Sequence, residues 1–82
     1  MEYGLYCIYD AATNIYGIPM AQTNDAEAIR SFAHESMKKE SIWNSHPSDF
    51  VMYKIGVYNS SDGMITTYGA PDRICCATDF VR

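Results

Sequence analysis

The chain has 82 residues and a formal charge of −4, from ten acidic and six basic side chains. Proteins that grip nucleic acid mainly through phosphate contacts carry a basic excess, so this balance argues against strong non-specific DNA binding. We expect one domain over residues 1–82, with one modest core. No apolar run approaches the roughly 18 residues of a membrane span, and the first residues lack a signal-peptide pattern, so neither membrane insertion nor secretion is expected.

Three cysteines occur, at Cys7, Cys75 and Cys76. An odd number with one adjacent pair does not make a disulfide framework, and this pattern fits a reducing cytoplasm. Cys7 is predicted to be a small core residue on a strand.

The first predicted strand covers residues 3–9, where both alternating sides are apolar, as in a central strand or in an edge strand covered by a partner. A turn over residues 10–14 leads to a shorter strand at 15–18. Pro19 ends that strand because proline cannot donate a hydrogen bond to a sheet ladder.

A helix is predicted over residues 25–39. Asn24 can cap its first turn, and Glu27 stands three residues later, as in a capping box. The predicted apolar stripe consists of Ala26, Ile29, Phe32, Ala33 and Met37. Residues 40–49 form a polar connection, in which Trp43 is expected to plug the open end of the helix–sheet layer.

Residues 50–66 predict a hairpin with its turn at 59–63, and its first strand is expected to form the spine of the sheet. A short closing strand is predicted near residues 73–77. The resulting fold class is α+β, with four or five antiparallel strands in the order β-β-α-β-β and one helix on one face. The uncovered face must then be polar or pack against another chain.

Catalytic and metal chemistry find little support in the residue spacing. The chain has no Cys-x-x-Cys or His-x-x-x-His pair, so His34 and His46 are interpreted as surface residues. No nucleophile is accompanied by a base and an orienting group, and no glycine-rich phosphate loop is present. We therefore predict a non-enzyme with no catalytic residues, metal or cofactor.

Single-stranded nucleic acid is the remaining chemical possibility, since sheet faces that bind it combine exposed rings with cations. Phe50, Lys54 and Tyr58 share one side of the predicted strand at residues 50–58. If the helix covers the opposite side, Lys54 stands among rings on the open face. Three helix residues could extend this patch: Arg30, Lys38 and Lys39. The alternative is that the rings pack in a dimer interface with Lys54 at its rim, which the acidic net charge favours.

Several segments together resemble a known family. These are Tyr6-Cys7-Ile8-Tyr9-Asp10, Asn24-Asp25 with Ala28-Ile29-Arg30-Ser31-Phe32-Ala33-His34, and His46-Pro47-Ser48-Asp49-Phe50 with Tyr53, Ile55-Gly56, Gly63 and Ile65. Pro71, Ile74 and Asp79 also fit, whereas Tyr68-Gly69 and Cys75-Cys76 depart from the pattern. The chain thereby resembles the small non-structural protein of gokushovirus-type microviruses, which are single-stranded DNA phages.

The resemblance implies a phage accessory protein, likened to the C protein of phiX-type phages, that acts in single-stranded DNA synthesis or packaging in the bacterial cytoplasm. Two hypotheses follow. The first is an accessory that binds single-stranded DNA through the face of Phe50, Lys54 and Tyr58, in which case Lys54→Glu should weaken DNA binding. The second is a homodimeric adaptor that contacts phage or host replication proteins with little or no DNA binding.

Overall fold

The sheet is built around its first strand, β1 (Glu2–Asp10), which is hydrogen-bonded on both sides in a computed structural model that describes residues 1–81. One side of β1 pairs along its whole length with β4 (Phe50–Asn59), in antiparallel register from Glu2↔Asn59 to Asp10↔Phe50. A strand with apolar residues on both alternating sides suits this central position. The strand order is β2 (Ile15–Tyr16), β1, β4 and β5 (Met64–Cys76).

The other side of β1 carries two short strands instead of the single one predicted at residues 15–18. β2 (Ile15–Tyr16) pairs with the end of β1, and β3 (Met20–Gln22) pairs with Gly4 to Tyr6. Pro19 lies between them and interrupts the ladder, after which the chain returns to the same edge. The sequence predicted the interruption but not the strand that follows it.

Helix α1 (Asp25–Ser36) begins where the sequence predicts. The Asn24 side chain accepts a hydrogen bond from the Glu27 N–H at 2.9 Å. The reciprocal half of the predicted capping box does not form, because the Glu27 carboxylate instead accepts from Arg30 at 2.7 Å. The helix ends three residues before the predicted boundary at 39, where the Met37 N–H reaches back to the carbonyl of Ala33.

The buried stripe of α1 is rotated relative to the prediction. Ala28, Phe32 and Ser36 are buried, whereas Met37 is 58% exposed. Ser36 can lie in the core because its hydroxyl donates to the Phe32 carbonyl at 2.8 Å, which leaves no polar atom unpaired. Met37 was predicted to be buried because it is hydrophobic. The sequence gives no sign that the Ser36 hydroxyl will find a hydrogen-bond acceptor in the preceding turn.

The connection after α1 is more ordered than a polar loop. It contains a short helix, α2 (Ile42–Ser45), and a single 3₁₀ turn at Pro47–Asp49. Trp43 on α2 packs against Phe32 and Phe50, with ring centroids 4.9 Å and 6.2 Å away. Its predicted position at the end of the helix–sheet layer is confirmed.

The second hairpin joins β4 to β5 (Met64–Cys76), a single long strand where the sequence predicted two separate pieces. Gly63 ends its turn with a φ of 74°, a left-handed conformation that glycine adopts without strain. The pairing is irregular between Lys54 and Gly56 of β4, so residues 68–71 bulge out of the ladder. A 3₁₀ turn at Ala77–Asp79 follows.

The core lies between α1 and one face of the sheet, as the predicted α+β class requires. Its buried members are Tyr6, Ile8, Ala28, Phe32, Phe50, Met52, Cys75 and Ala77. Five strands and one main helix confirm the predicted architecture, with the additional strand inserted before α1 and not at the end of the chain.

Candidate nucleic-acid interface

Helix α1 covers the side of β4 that carries Lys54. Lys54 would be exposed only if the helix covered the other side. Phe50 and Met52 are 6% and 1% exposed and belong to the core under α1. Lys54 lies on this same side, because it pairs across the ladder with the core residue Tyr6. The expectation that Phe50 and Lys54 stand together on the open face is therefore wrong.

Lys54 has a specific place beneath the N-terminal end of α1. Its ammonium lies 3.3 Å from the Asp25 carboxylate and 5.8 Å from the centre of the Tyr6 ring. The Tyr6 hydroxyl donates to the same carboxylate, and this bond, with Lys54, lowers the pKa of Asp25 despite some burial. Burial, together with Asp25, raises the pKa of Tyr6. The three side chains tie the start of the helix to the sheet.

A β-bulge separates Tyr58 from its predicted partners. The β1–β4 pairing passes from Tyr6↔Lys54 to Leu5↔Gly56, which leaves Ile55 as an extra residue and reverses the alternation beyond it. Tyr58 consequently lies on the open face, opposite Tyr3, with ring centroids 6.3 Å apart. Alternation alone does not show this bulge, and the signal that was available is Gly56, because an isolated glycine inside a strand often marks one.

The predicted helix cations also lie apart from the open face. Arg30 is paired with Glu27 at 2.7 Å along the exposed side of α1, and Lys38, two residues beyond the helix, is paired with Glu35 at 2.8 Å. Lys39 is exposed just beyond the helix. Of the six residues predicted to form one patch, the structure leaves only Tyr58 on the open face of the sheet.

The face of the sheet away from α1 is called the open face here. Cross-strand pairing places its residues in four rows: Tyr16, Tyr9, Val51 and Cys76; Cys7, Tyr53 and Arg73; Ala21, Leu5, Gly56 and Thr67; Tyr3, Tyr58 and Ile65. Five of the seven tyrosines of the chain therefore lie on one surface.

Three of these tyrosines form a tyrosine cluster, defined as Tyr9, Tyr16 and Tyr53. The centroid of the Tyr9 ring lies 4.7 Å from that of Tyr16 and 6.1 Å from that of Tyr53, and the Tyr16 and Tyr53 centroids are 5.7 Å apart. The Tyr9 hydroxyl donates to the Asn14 side chain at 2.6 Å. Tyr16 is 46% exposed, so part of its ring is available to a ligand.

Charge is distributed unequally between the two faces of the sheet. The strand carboxylates of Glu2, Asp10 and Asp72 all fall in helix-side rows, opposite Asn59, Phe50 and Lys54. The open-face rows contain one charged residue, Arg73, which is exposed and lies opposite Tyr53. Within residues 1–81, Arg73 forms no ion pair. The open face thus combines rings with a free cation.

Cys7 and Cys75 are buried in surroundings that disfavour the thiolate form. Cys7 is 3% exposed, which confirms its prediction as a buried strand residue, and burial raises its pKa. Cys75, on the helix side, has its pKa raised to about 11, chiefly by burial. A thiol at such a pKa stays protonated at neutral pH and is a poor nucleophile.

Neither a metal-binding cluster nor a membrane-spanning helix is found in the part of the chain that the structure describes. Residues 1–81 contain no group of three His, Cys, Asp or Glu side chains close enough to hold a metal ion. The same residues include no helix with the length and apolar character needed to cross a membrane.

A family model described as Phage ORF5 protein matches residues 3–80 of this α+β chain. The chain belongs to the Phage ORF5 protein family. Curated proteins and solved structures provide no significant match to this ORF5-family chain. The match establishes a phage protein, and the chemistry of the open face is the remaining evidence on what it does.

Sequence reasoning missed Tyr9, Tyr16, Tyr53 and Arg73 as members of one surface. No local signal separates the two sides of β4. By alternation the side of Phe50 and Met52 also carries Lys54, and the buried Tyr6 shows that a tyrosine hydroxyl does not mark the exposed side. Arg73 could not be placed, because its face depends on the irregular pairing of β5.

Proposed function

We propose that this ORF5-family chain is a non-structural phage accessory protein that binds single-stranded DNA during viral genome synthesis or packaging in the bacterial host. The observation that carries the proposal is the separation of charge across the sheet, with tyrosines and Arg73 on one face and the strand carboxylates on the other. The proposed role is one of binding, without catalysis or a cofactor.

Bases are the part of the ligand that this surface suits best. An aromatic ring stacks on any base, and such contacts contribute about 1–3 kcal/mol per base. Tyr16 has an exposed ring, and Arg73 lies opposite Tyr53 in the neighbouring row. Duplex DNA hides its bases in the stack, so the surface favours single strands. Because the open-face rows within residues 1–81 contain one cation, phosphate contacts make a small contribution, in keeping with a net charge of −4.

A second copy of the chain fits the open face less well. Two open faces meeting about a two-fold axis would bring two Arg73 side chains into one interface. The strand residues of that face supply no carboxylate to neutralise them. For this reason, single-stranded DNA is preferred over the homodimeric adaptor for phage or host replication proteins.

Fluorescence anisotropy with a labelled oligothymidylate tests the proposal. We expect Tyr16→Leu to weaken binding about tenfold, which corresponds to about 1.4 kcal/mol and lies within the range for one lost stacking contact. Arg73→Gln should weaken binding and flatten the salt dependence, since a single phosphate contact on single-stranded DNA contributes a slope of about −0.7. Arg30→Gln, on the outer side of α1, is the matched control and should bind normally.

Three results would overturn the proposal. Wild-type protein that binds no DNA at low salt would remove the activity itself. A loss of binding in Arg30→Gln or Lys39→Gln, with Tyr16→Leu unaffected, would move the site to the helix. A dimer by light scattering that Tyr16→Leu converts to monomer, without DNA binding, would favour the adaptor.

A further inference from the structure

The open face has a second aromatic position at the far end of β1, formed by Tyr3 and Tyr58 and called the tyrosine pair here. The two rings face each other across the β1–β4 ladder, with centroids 6.3 Å apart and planes inclined by 33°. Both side chains are half-buried, and Ile65 in the same row is 58% exposed. Ile65 and the two rings give this end an accessible apolar surface.

The tyrosine pair and the tyrosine cluster are separated by a distance that one strand of DNA can span. Tyr3 and Tyr9 are six residues apart on β1, which corresponds to about 20 Å at the rise of an extended chain. Stacked nucleotides are spaced about 3.4 Å apart along one strand, so at most about six nucleotides would bridge the two positions. A stretched strand would need fewer.

Among residues 1–81, the surface between the two positions carries no negative charge that would repel a strand of DNA. The intervening row contains Leu5, Gly56 and Thr67, none of which is charged. Arg73 lies on the side of the tyrosine cluster and can hold a phosphate there. The nearest strand carboxylates point to the helix side of the sheet. Rings at both ends and a neutral path between them are what a continuous strand requires.

We infer that single-stranded DNA binds in a bipartite manner, with bases stacked on the tyrosine cluster at one end of the open face and on the tyrosine pair at the other. This inference rests on the proposed function and adds a second subsite to it. Joining two weak contacts through one strand makes the second contact intramolecular, so affinity should rise steeply once the strand spans both positions.

A series of labelled oligothymidylates of about three to about twelve nucleotides tests the inference. These lengths cover most of the range of ~4–16 nucleotides that single-strand-binding folds occupy. Wild-type affinity should increase by at least tenfold between the shortest probes and those of about six nucleotides. Tyr58→Leu should abolish most of this increase while changing the binding of the shortest probes by less than twofold.

Tyr68→Leu provides the matched control. Tyr68 is a 39% exposed tyrosine on β5, and it lies close to Lys54, away from the tyrosine pair. This variant should retain the full dependence on length. If Tyr58→Leu behaves like wild type at every length, or if affinity stops rising below the bridging length, the second subsite does not exist although DNA binding stands. If no probe binds wild-type protein, the proposed function itself fails.

Discussion

The two faces of this sheet are built from the same alternating strands but are stabilised differently. The helix side has a closed core, with Tyr6 and Met52 at 0% and 1% exposure, and an ion pair from Lys54 to Asp25. The open side has partly exposed rings that contact one another. The helix side depends on dense packing, whereas the open side retains surface that a ligand can reach.

The difference shows how a protein of net negative charge can still offer a surface to DNA. The total charge of −4 describes the whole chain, but an incoming strand meets only one face. On the open face the charged strand residue is Arg73. Local distribution, and not the sum, decides whether nucleic acid is repelled.

The largest effect should come from truncating the helix-side core. Met52→Ala removes a side chain that is 1% exposed and should lower the free energy of unfolding by about 2–5 kcal/mol, measured by chemical denaturation. Val51→Ala, one residue earlier on the half-buried open side, should lower it by less than about 1.5 kcal/mol. Equal losses would show that the open face is as tightly covered in solution as the core.

A smaller loss of stability is expected from adding a methyl group at Gly4, where the Tyr6 ring already occupies the space. A Cβ atom at Gly4 would lie 2.5 Å from the Tyr6 hydroxyl and 2.7 Å from its ring, so the buried ring must move. Gly4→Ala should destabilise the fold by about 1–3 kcal/mol and disturb the Tyr6–Asp25 hydrogen bond. Gly69→Ala is the control, because its Cβ meets nothing within 4 Å. Comparable thermal shifts in both variants would contradict this packing of Tyr6.

Acid should weaken the attachment of the helix to the sheet. The Tyr6 hydrogen bond, with help from Lys54, lowers the pKa of Asp25 in the folded protein below its value near 3.9 in an unfolded chain. Stability from this carboxylate is therefore present above that unfolded value and is lost as the pH falls through the folded one. Asp25→Asn should be less stable than wild type at pH 7, and the gap should narrow below about pH 4.

Unfolding midpoints of both proteins at several pH values check this expectation. Because the Asp25 side chain is 50% exposed, solvent screens its interactions and the gap at neutral pH should be modest. A constant gap from pH 7 to pH 3 would mean that Asp25 contributes through its shape or its helix position, and not through its charge.

The features that sequence could predict are those set by neighbouring residues. The Asn24 cap, the central strand over Tyr3 to Tyr9 and the turn at Gly63 depend on local chemistry, and all three are confirmed. Which face α1 would cover depends on contacts between distant segments. Alternation along β4 is compatible with either face, and so it cannot assign Lys54 to one of them.

The candidate site was harder to predict than the fold, because two irregularities decide its membership. The bulge at Ile55 turns Tyr58 away from the side of Lys54, and the irregular register of β5 decides where Arg73 points. A shift of one residue moves every later side chain to the other face. Strict alternation therefore grouped Phe50, Lys54 and Tyr58 as one surface, although only Tyr58 lies there.

The smallest effect should be found on the outer side of α1, where Arg30 and Glu27 are joined at 2.7 Å but are 77% and 42% exposed. Water and salt screen such a pair, and ordering both side chains offsets much of its attraction, so Arg30→Ala should change the free energy of unfolding by less than about 0.5 kcal/mol. Denaturation at low and high salt measures this change. A loss above about 1 kcal/mol that grows with protein concentration would indicate that this surface binds another copy. The helix would then have two covered sides, and the contrast between a closed helix side and an available sheet face would no longer hold.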